Sequence, residues 1–170
     1  MEPINKYHTF WRRLLAGLLD SFLFIPLSIV DFYVNQSENI LFFITWRLVS
    51  IICWMIYIVI GHGKYGQTLG KKVMQIRVLD IGEQKTIGYW RAFIRESVWV
   101  IADISGLIYL AYASYTANVN ERDLIRSIYE DYISYTILVW FLLELITMLF
   151  NSKRRAFHDY IARSVVVNLN

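Results

Sequence analysis

Three acidic residues stand where acids are costly. Asp20, Asp103 and Glu144 each lie inside a long apolar run, and Arg47 lies inside another. A charge at the centre of a hydrocarbon layer costs at least ~2.5 kcal/mol, so it persists where it is paired or put to use. Arg47 can pair with one of the three acids. Unless Arg13 or Arg95 reaches inward, another must be neutralised by a proton or a bound ion. Carboxylates at similar depth on separate helices are the chemistry of a cation or proton site. Asp20 and Glu144 are the first candidates and Asp103 the next, while Asp31, near the end of its run, is expected to be solvated.

The elements that must hold these groups are the runs themselves. Residues 14–34, 40–60, 92–115 and 133–150 each approach or reach the ~20 residues needed to cross a bilayer. The composition agrees, at 56% hydrophobic and 18% charged over 170 residues, against the ~25% charge usual in soluble domains. The first run is too long, and too interrupted by Asp20, for a cleaved leader, and no small-x-small site follows it. The lone Cys53 carries no disulfide information. Lys and Arg alternate between connections. Lys6, Arg12 and Arg13 precede the first run, and the first connection, "NQSEN", has no basic residue. Seven basic residues between Lys64 and Arg95 follow the second run. A mixed-charge loop and the basic tail Lys153, Arg154, Arg155 and Arg163 complete the series. Cytoplasmic loops collect such residues. The fold expected is therefore an all-α membrane protein with four transmembrane helices at about 13–34, 40–60, 92–115 and 133–150. Both termini are expected in the cytoplasm, the outer loop spans 116–132, and the tail spans 151–170. The net charge of +3 then belongs to one membrane face rather than to a nucleic-acid partner.

The stretch "GKYGQTLGKK" at 63–72 has the look of a phosphate loop. It fails that test on spacing, since G-x-x-x-x-G-K-[ST] is required. Lys71 is followed by Lys72, and an apolar run, not a strand, precedes it. It reads instead as a glycine-punctuated turn whose lysines reach headgroups. The alternation in "VMQIRVLD", residues 73–80, predicts a strand. One strand leaves open edges, and "ARSVVVNL", residues 162–169, is expected to pair with it.

Taken together, "FWRRLLAGLLD", "YGQTLGKKVMQIRVLD", "WRAFIRE" and "KRRAFHDYIARSVVV" resemble the RDD family of bacterial membrane proteins, across nearly the whole chain and in order. The resemblance places the family arginine on Arg13, with Arg12 the rival, and its two aspartates on Asp20 and Asp159. It implies a multi-pass protein of the bacterial inner membrane. It also implies either transport, including sodium–proton exchange, or a regulatory or scaffolding role beside another membrane protein. Glu144 has no counterpart in the family pattern.

Asp20 follows Arg13 by seven residues and shares its helix face, ~10 Å deeper. Arg91 and Arg95 lie one turn apart at the start of the third run, where they either snorkel to headgroups or, for Arg95, bridge to Asp159. Asp159 is expected to cap a tail element and pair with Arg13, Arg91 or Arg95. Arg13, Arg12, Arg47, Arg95, His158 and Asp159 thus form a candidate gate or structural clamp. His158 beside Asp159 lacks the further ligands of a metal site and a matching nucleophile, so neither a metal, a cofactor nor an enzyme is expected. The expected partners are the lipid bilayer, a monovalent cation or proton, and a homo-oligomer or another membrane protein. Leu124, Ile125 and Ile128 predict a short amphipathic surface helix in the outer loop.

Overall fold

A computed structural model describes residues 6–37, 39–116 and 122–169. The chain is mostly helical. The first run is not one helix. It forms α1, Phe10–Leu23, and α2, Ile25–Asn35, bent by 65° at Phe24. Pro26 is the physical reason. It sits in the first turn of α2, where its missing N–H is tolerated, but it cannot extend α1. Helix α3, Ile40–Ile60, starts where the Asn39 side chain accepts from Phe42 N at 3.1 Å. It runs directly into a π-helical turn, Gly61–Tyr65, which Gly66 ends with φ of 70°.

A short helix α4, Leu69–Val73, is capped by Thr68. Strand β1, Ile76–Asp80, follows. The long helices α5, Gly88–Thr116, and α6, Arg122–Leu149, are followed by α7, Phe157–Ile161, and β2, Ser164–Asn168. Among the described residues, three helices are long and apolar enough to cross a membrane, and there are four such spans if the bent α1–α2 pair counts as one.

The surface helix expected near Leu124 is the start of α6 itself. No Gly or Pro occurs between Arg122 and Leu149, so nothing breaks the helix. Ile125 and Tyr129 pack with Val34, Phe43, Leu107 and Leu110 into a core at the loop end of the bundle. Residues 117–121 of the expected outer loop lie outside the described residues. The third span also starts earlier than expected, at Gly88 rather than Ala92.

The two strands pair antiparallel, Ile76 with Asn168 through Asp80 with Ser164. Residues 73–75, expected to begin the first strand, are instead the end of α4 and its exit turn. Ile76, Val78 and Val166 bury against Ala16 of α1 and Ala92 of α5. The sheet is thus a plug at one end of the bundle, and it brings the tail beneath α1 and α5. Helix α4 lies close on α1, and a Cβ on Gly70 would fall 2.1 Å from the Ala16 carbonyl oxygen and 2.9 Å from Asp20 Oδ1. Gly70→Ala is therefore expected to cost at least about 1–3 kcal/mol, measured as a lower Tm in detergent. Gly17→Ala, where a Cβ would meet nothing within 4 Å, should leave Tm essentially unchanged.

Candidate functional site

The tail helix α7 delivers Asp159 into the bundle, where it is 0% exposed. Its Oδ2 accepts from Arg13 Nη1 at 2.6 Å and from Ala156 N at 3.1 Å. Its Oδ1 accepts from Arg95 Nε at 3.1 Å and Ser164 Oγ at 3.0 Å, with Arg95 Nη2 at 3.0 Å. Burial alone would raise this carboxyl, but the charges of Arg13 and Arg95 outweigh it and hold it well below the usual carboxylate range. Arg13 spends its remaining nitrogens on Thr9 Oγ1 at 2.9 Å and the Arg154 carbonyl at 3.2 Å. Among the described residues, Arg12 reaches the Met74 carbonyl, at 3.4 Å.

Arg95, 3% exposed, is turned inward and joins both histidines. Its Nη2 lies 2.5 Å from His158 Nε2, and its Nη1 lies 3.1 Å from His62 Nδ1. A guanidinium only donates, so both facing ring nitrogens are acceptors in the neutral rings. His158 then carries its proton on Nδ1, which faces Glu144 Oε1 in a short hydrogen bond. Trp140 Nε1 also donates to that oxygen, at 2.6 Å. His62 carries its proton on Nε2, which lies 2.6 Å from Lys71 Nζ. A donating imidazole needs a lone pair on the amine, so Lys71 must be neutral in this arrangement. Burial, reinforced by the charge of Arg95, brings the Lys71 amine down to about 7. Lys71 was expected at the headgroups, but α4 turns it inward and leaves Lys72 exposed.

Asp20, 3% exposed, joins α1 to the glycine-rich connection. Its Oδ1 accepts from Tyr57 Oη at 2.5 Å and Gly70 N at 2.7 Å, and its Oδ2 accepts from Thr68 Oγ1 at 2.6 Å. Tyr57 Oη in turn accepts from Leu69 N at 2.9 Å. All these donors are neutral.

Asp20 and Glu144 line one cavity of about 430 Å³ between α1, α3, α5 and α6, along with Glu96, Arg13, Arg95 and His158. Asp103 lies elsewhere. With Arg47, Ser50 and Glu96 it lines a second cavity of about 260 Å³, and Trp54, Glu96 and Trp99 border both cavities. The three candidate acids therefore do not converge on one point. Arg47 closes no ion pair among the described residues. Its guanidinium sits 5.8 Å from the rings of Phe43 and Tyr129, within electrostatic range of Asp103 and Asp31. Asp31 accepts from Trp46 Nε1 at 2.5 Å rather than being left to solvent.

His62, Lys71, Tyr57, Thr68 and Glu96 were absent from the candidate site in the sequence reading. The signal that could have found the first four is the glycine spacing of residues 61–70, which demands close backbone approach. A Cβ on Gly63 would meet the Tyr89 backbone at 2.9 Å. Glu96 could have been found as the residue beside Arg95, seven before Asp103 on one helix face.

Membrane-length apolar helices closed at one end by a small sheet, with an Arg–Asp–Arg tie between first helix, third span and tail, define a polytopic membrane protein. Residues 7–163 match the model of the RDD family, and the chain belongs to that family. No curated relative and no solved structure matches it.

Two measurements test this geometry. Arg13→Ala leaves a buried carboxylate half-neutralised and is expected to cost about 3–5 kcal/mol, seen as loss of the folded, monodisperse fraction in detergent. Arg12→Ala should cost far less. Lys71 gives a pH signature. Its folded value of about 7 lies below the unfolded ~10.4, so between these the unfolded chain binds the extra proton and stability rises with pH. Tm should climb from about pH 7 to about pH 9, and Lys71→Met should flatten the climb.

Proposed function

We propose that this protein is an ion-coupled transporter of the cation/proton exchange type, lying in the bacterial inner membrane with both termini in the cytoplasm. The observation that carries the reading is the state of Asp20 and Glu144. Both face the 430 Å³ cavity between the apolar helices, and among the described residues neither closes an ion pair with Arg or Lys. Asp20 is held by neutral donors, and Glu144 by His158 and Trp140. The two fixed guanidiniums on that cavity, Arg13 and Arg95, are both joined to Asp159. A proton or cation is the remaining means of neutralising carboxylates in hydrocarbon surroundings.

Glu144 is the carrier in this reading, because His158 links it to Arg95 and a change in its charge is felt at the hub. Asp20 shares the cavity wall and anchors α4. Asp103, with Glu96, provides the station toward the loop end. Arg13, Arg95 and Asp159 form the clamp that holds the cytoplasmic end closed. Lys71, whose amine is brought down to about 7 by burial, and His62 complete a proton-handling row on the clamp's other side. No catalytic step on a substrate and no cofactor belongs to this mechanism.

A second reading, a non-catalytic regulator or scaffold of another membrane protein, draws on how little the spans bury each other. Only 11%, 17% and 11% of the three apolar windows are buried within the chain. That leaves ample helix surface for a second copy or for a different membrane protein. Purified protein in proteoliposomes decides between the readings. Cation-driven proton flux is expected, with a drop of at least about tenfold in Glu144→Gln and a smaller drop in Asp103→Asn. Flux unchanged by Glu144→Gln would reject the proposed carrier. No flux in the wild type, with a stoichiometric membrane partner co-purifying, would establish the scaffold.

A further inference from the structure

The 430 Å³ cavity is more than a place for a proton. It opens sideways between α1 and α6, where Leu18, Ile137 and Phe141 on its rim are 53%, 50% and 44% exposed. In a membrane those residues face lipid, so the mouth is reached from the bilayer rather than from water. Its volume lies in the range of small-molecule sites, ~300–1,000 Å³.

The wall carries three tryptophans, Trp54, Trp99 and Trp140, with Trp99 and Trp140 edge to face at 5.5 Å. Aromatic faces attract organic cations, most strongly where water is excluded.

The charge around the cavity is unbalanced. Three carboxylates line it, Asp20, Glu96 and Glu144, against two fixed guanidiniums, Arg13 and Arg95, that are both already joined to Asp159. Glu96 lies 3.5 Å from Arg95 Nη1, so it shares that same cation. Lys71 adds charge only when protonated, and each neutral histidine has one nitrogen turned to Arg95. An anionic head would meet an excess of carboxylate, and a cationic head is complemented. A bare inorganic ion needs several converging oxygens, whereas here the carboxylates stand on different walls of a largely apolar, aromatic space.

We infer that the cavity is a binding site for a lipophilic organic cation that enters from the bilayer between α1 and α6 and is held by Glu144 and Glu96 against Trp99 and Trp140. This rests on the cation/proton reading and names its substrate class. Binding of the cation displaces the proton or ion that otherwise neutralises the site, so a hydrophobic cation and a proton compete for the same carboxylates.

The test uses the full chain in detergent or nanodiscs with tetraphenylphosphonium as the probe, measured by equilibrium dialysis. Saturable binding is expected at one site per chain, tightening as pH rises. Glu144→Gln and Glu96→Gln should each weaken it at least about tenfold. Trp99→Leu, which alters no charge, should weaken it by roughly two- to tenfold. Each variant's Tm is measured alongside, and Trp99→Leu keeps the test valid should a carboxylate variant misfold. No saturable binding, equal affinity in the folded Glu144→Gln and Glu96→Gln variants, or displacement of the probe by dodecanoate as readily as by dodecyltrimethylammonium would overturn the inference. Sodium- or potassium-driven proton flux persisting without tetraphenylphosphonium binding would remove this substrate class and leave the ion-coupled reading standing. Loss of both would remove both.

Discussion

Everything at the closed end of the bundle depends on one buried carboxylate held between two arginines. Asp159 is fully covered, and a bare charge there would be prohibitive. It is tolerated because Arg13, Arg95, Ser164 and the Ala156 amide fill its lone pairs. Arg13 comes from α1, Arg95 from α5 and the other two donors from the tail itself, and so the bond set fixes α1, α5 and the tail relative to one another. The sheet gains its place from the same constraint, since Ser164 is both an Asp159 donor and the first residue of β2. A second latch supports the tail from outside. Burial would raise the Glu83 carboxyl, but hydrogen bonds from Lys153, Lys6 and Tyr7 outweigh that and bring it down to about 2.

Arg95 gives the polar row a direction. Because a guanidinium only donates, it forces His158 to present its proton to Glu144 and His62 to present its proton to Lys71. The two histidines are thus set in defined tautomers by a group that does not titrate. Fully protonating either ring would put a new N–H against Arg95, so proton gain at one histidine must come with movement away from the hub.

Much of this was legible in the sequence for identifiable reasons. Apolar runs near ~20 residues mark spans directly, and the alternation in residues 73–80 together with the valine-rich stretch at 162–169 mark two strands that have to find each other. The bend at Phe24 was missed because an apolar run hides a proline break when composition alone is read. The extension of α6 was missed because polar residues before Ile133 were taken for a loop, although no breaker separates them from the span. That Asp159 needed a basic partner followed from its place among arginines. The choice of Arg13 and Arg95 over Arg91 depended on helix rotation, which a single sequence does not give.

The site itself was less legible. Asp20 was read as a free carboxylate because its three donors, Tyr57, Thr68 and Gly70, are neutral and lie 37 to 50 residues away. Charge counting cannot see neutral donors. His62 and Lys71 were hidden for the opposite reason, since basic residues in a glycine-rich turn at a membrane edge ordinarily face water. The same connection folds back through a π-turn, a feature often found at functional sites, and turns both inward.

The central claim is that the carboxylates of the bundle exceed its fixed cations and that a mobile positive charge makes up the difference. Infrared difference spectroscopy on membrane-reconstituted protein tests it directly, by following the carboxylic C=O stretch as pH and cation concentration change. The account predicts a protonated-carboxyl band that shrinks on adding the bound cation or raising pH, and that is lost in Glu144→Gln. A spectrum with every carboxylate ionised at all pH values, with no added cation, would contradict it.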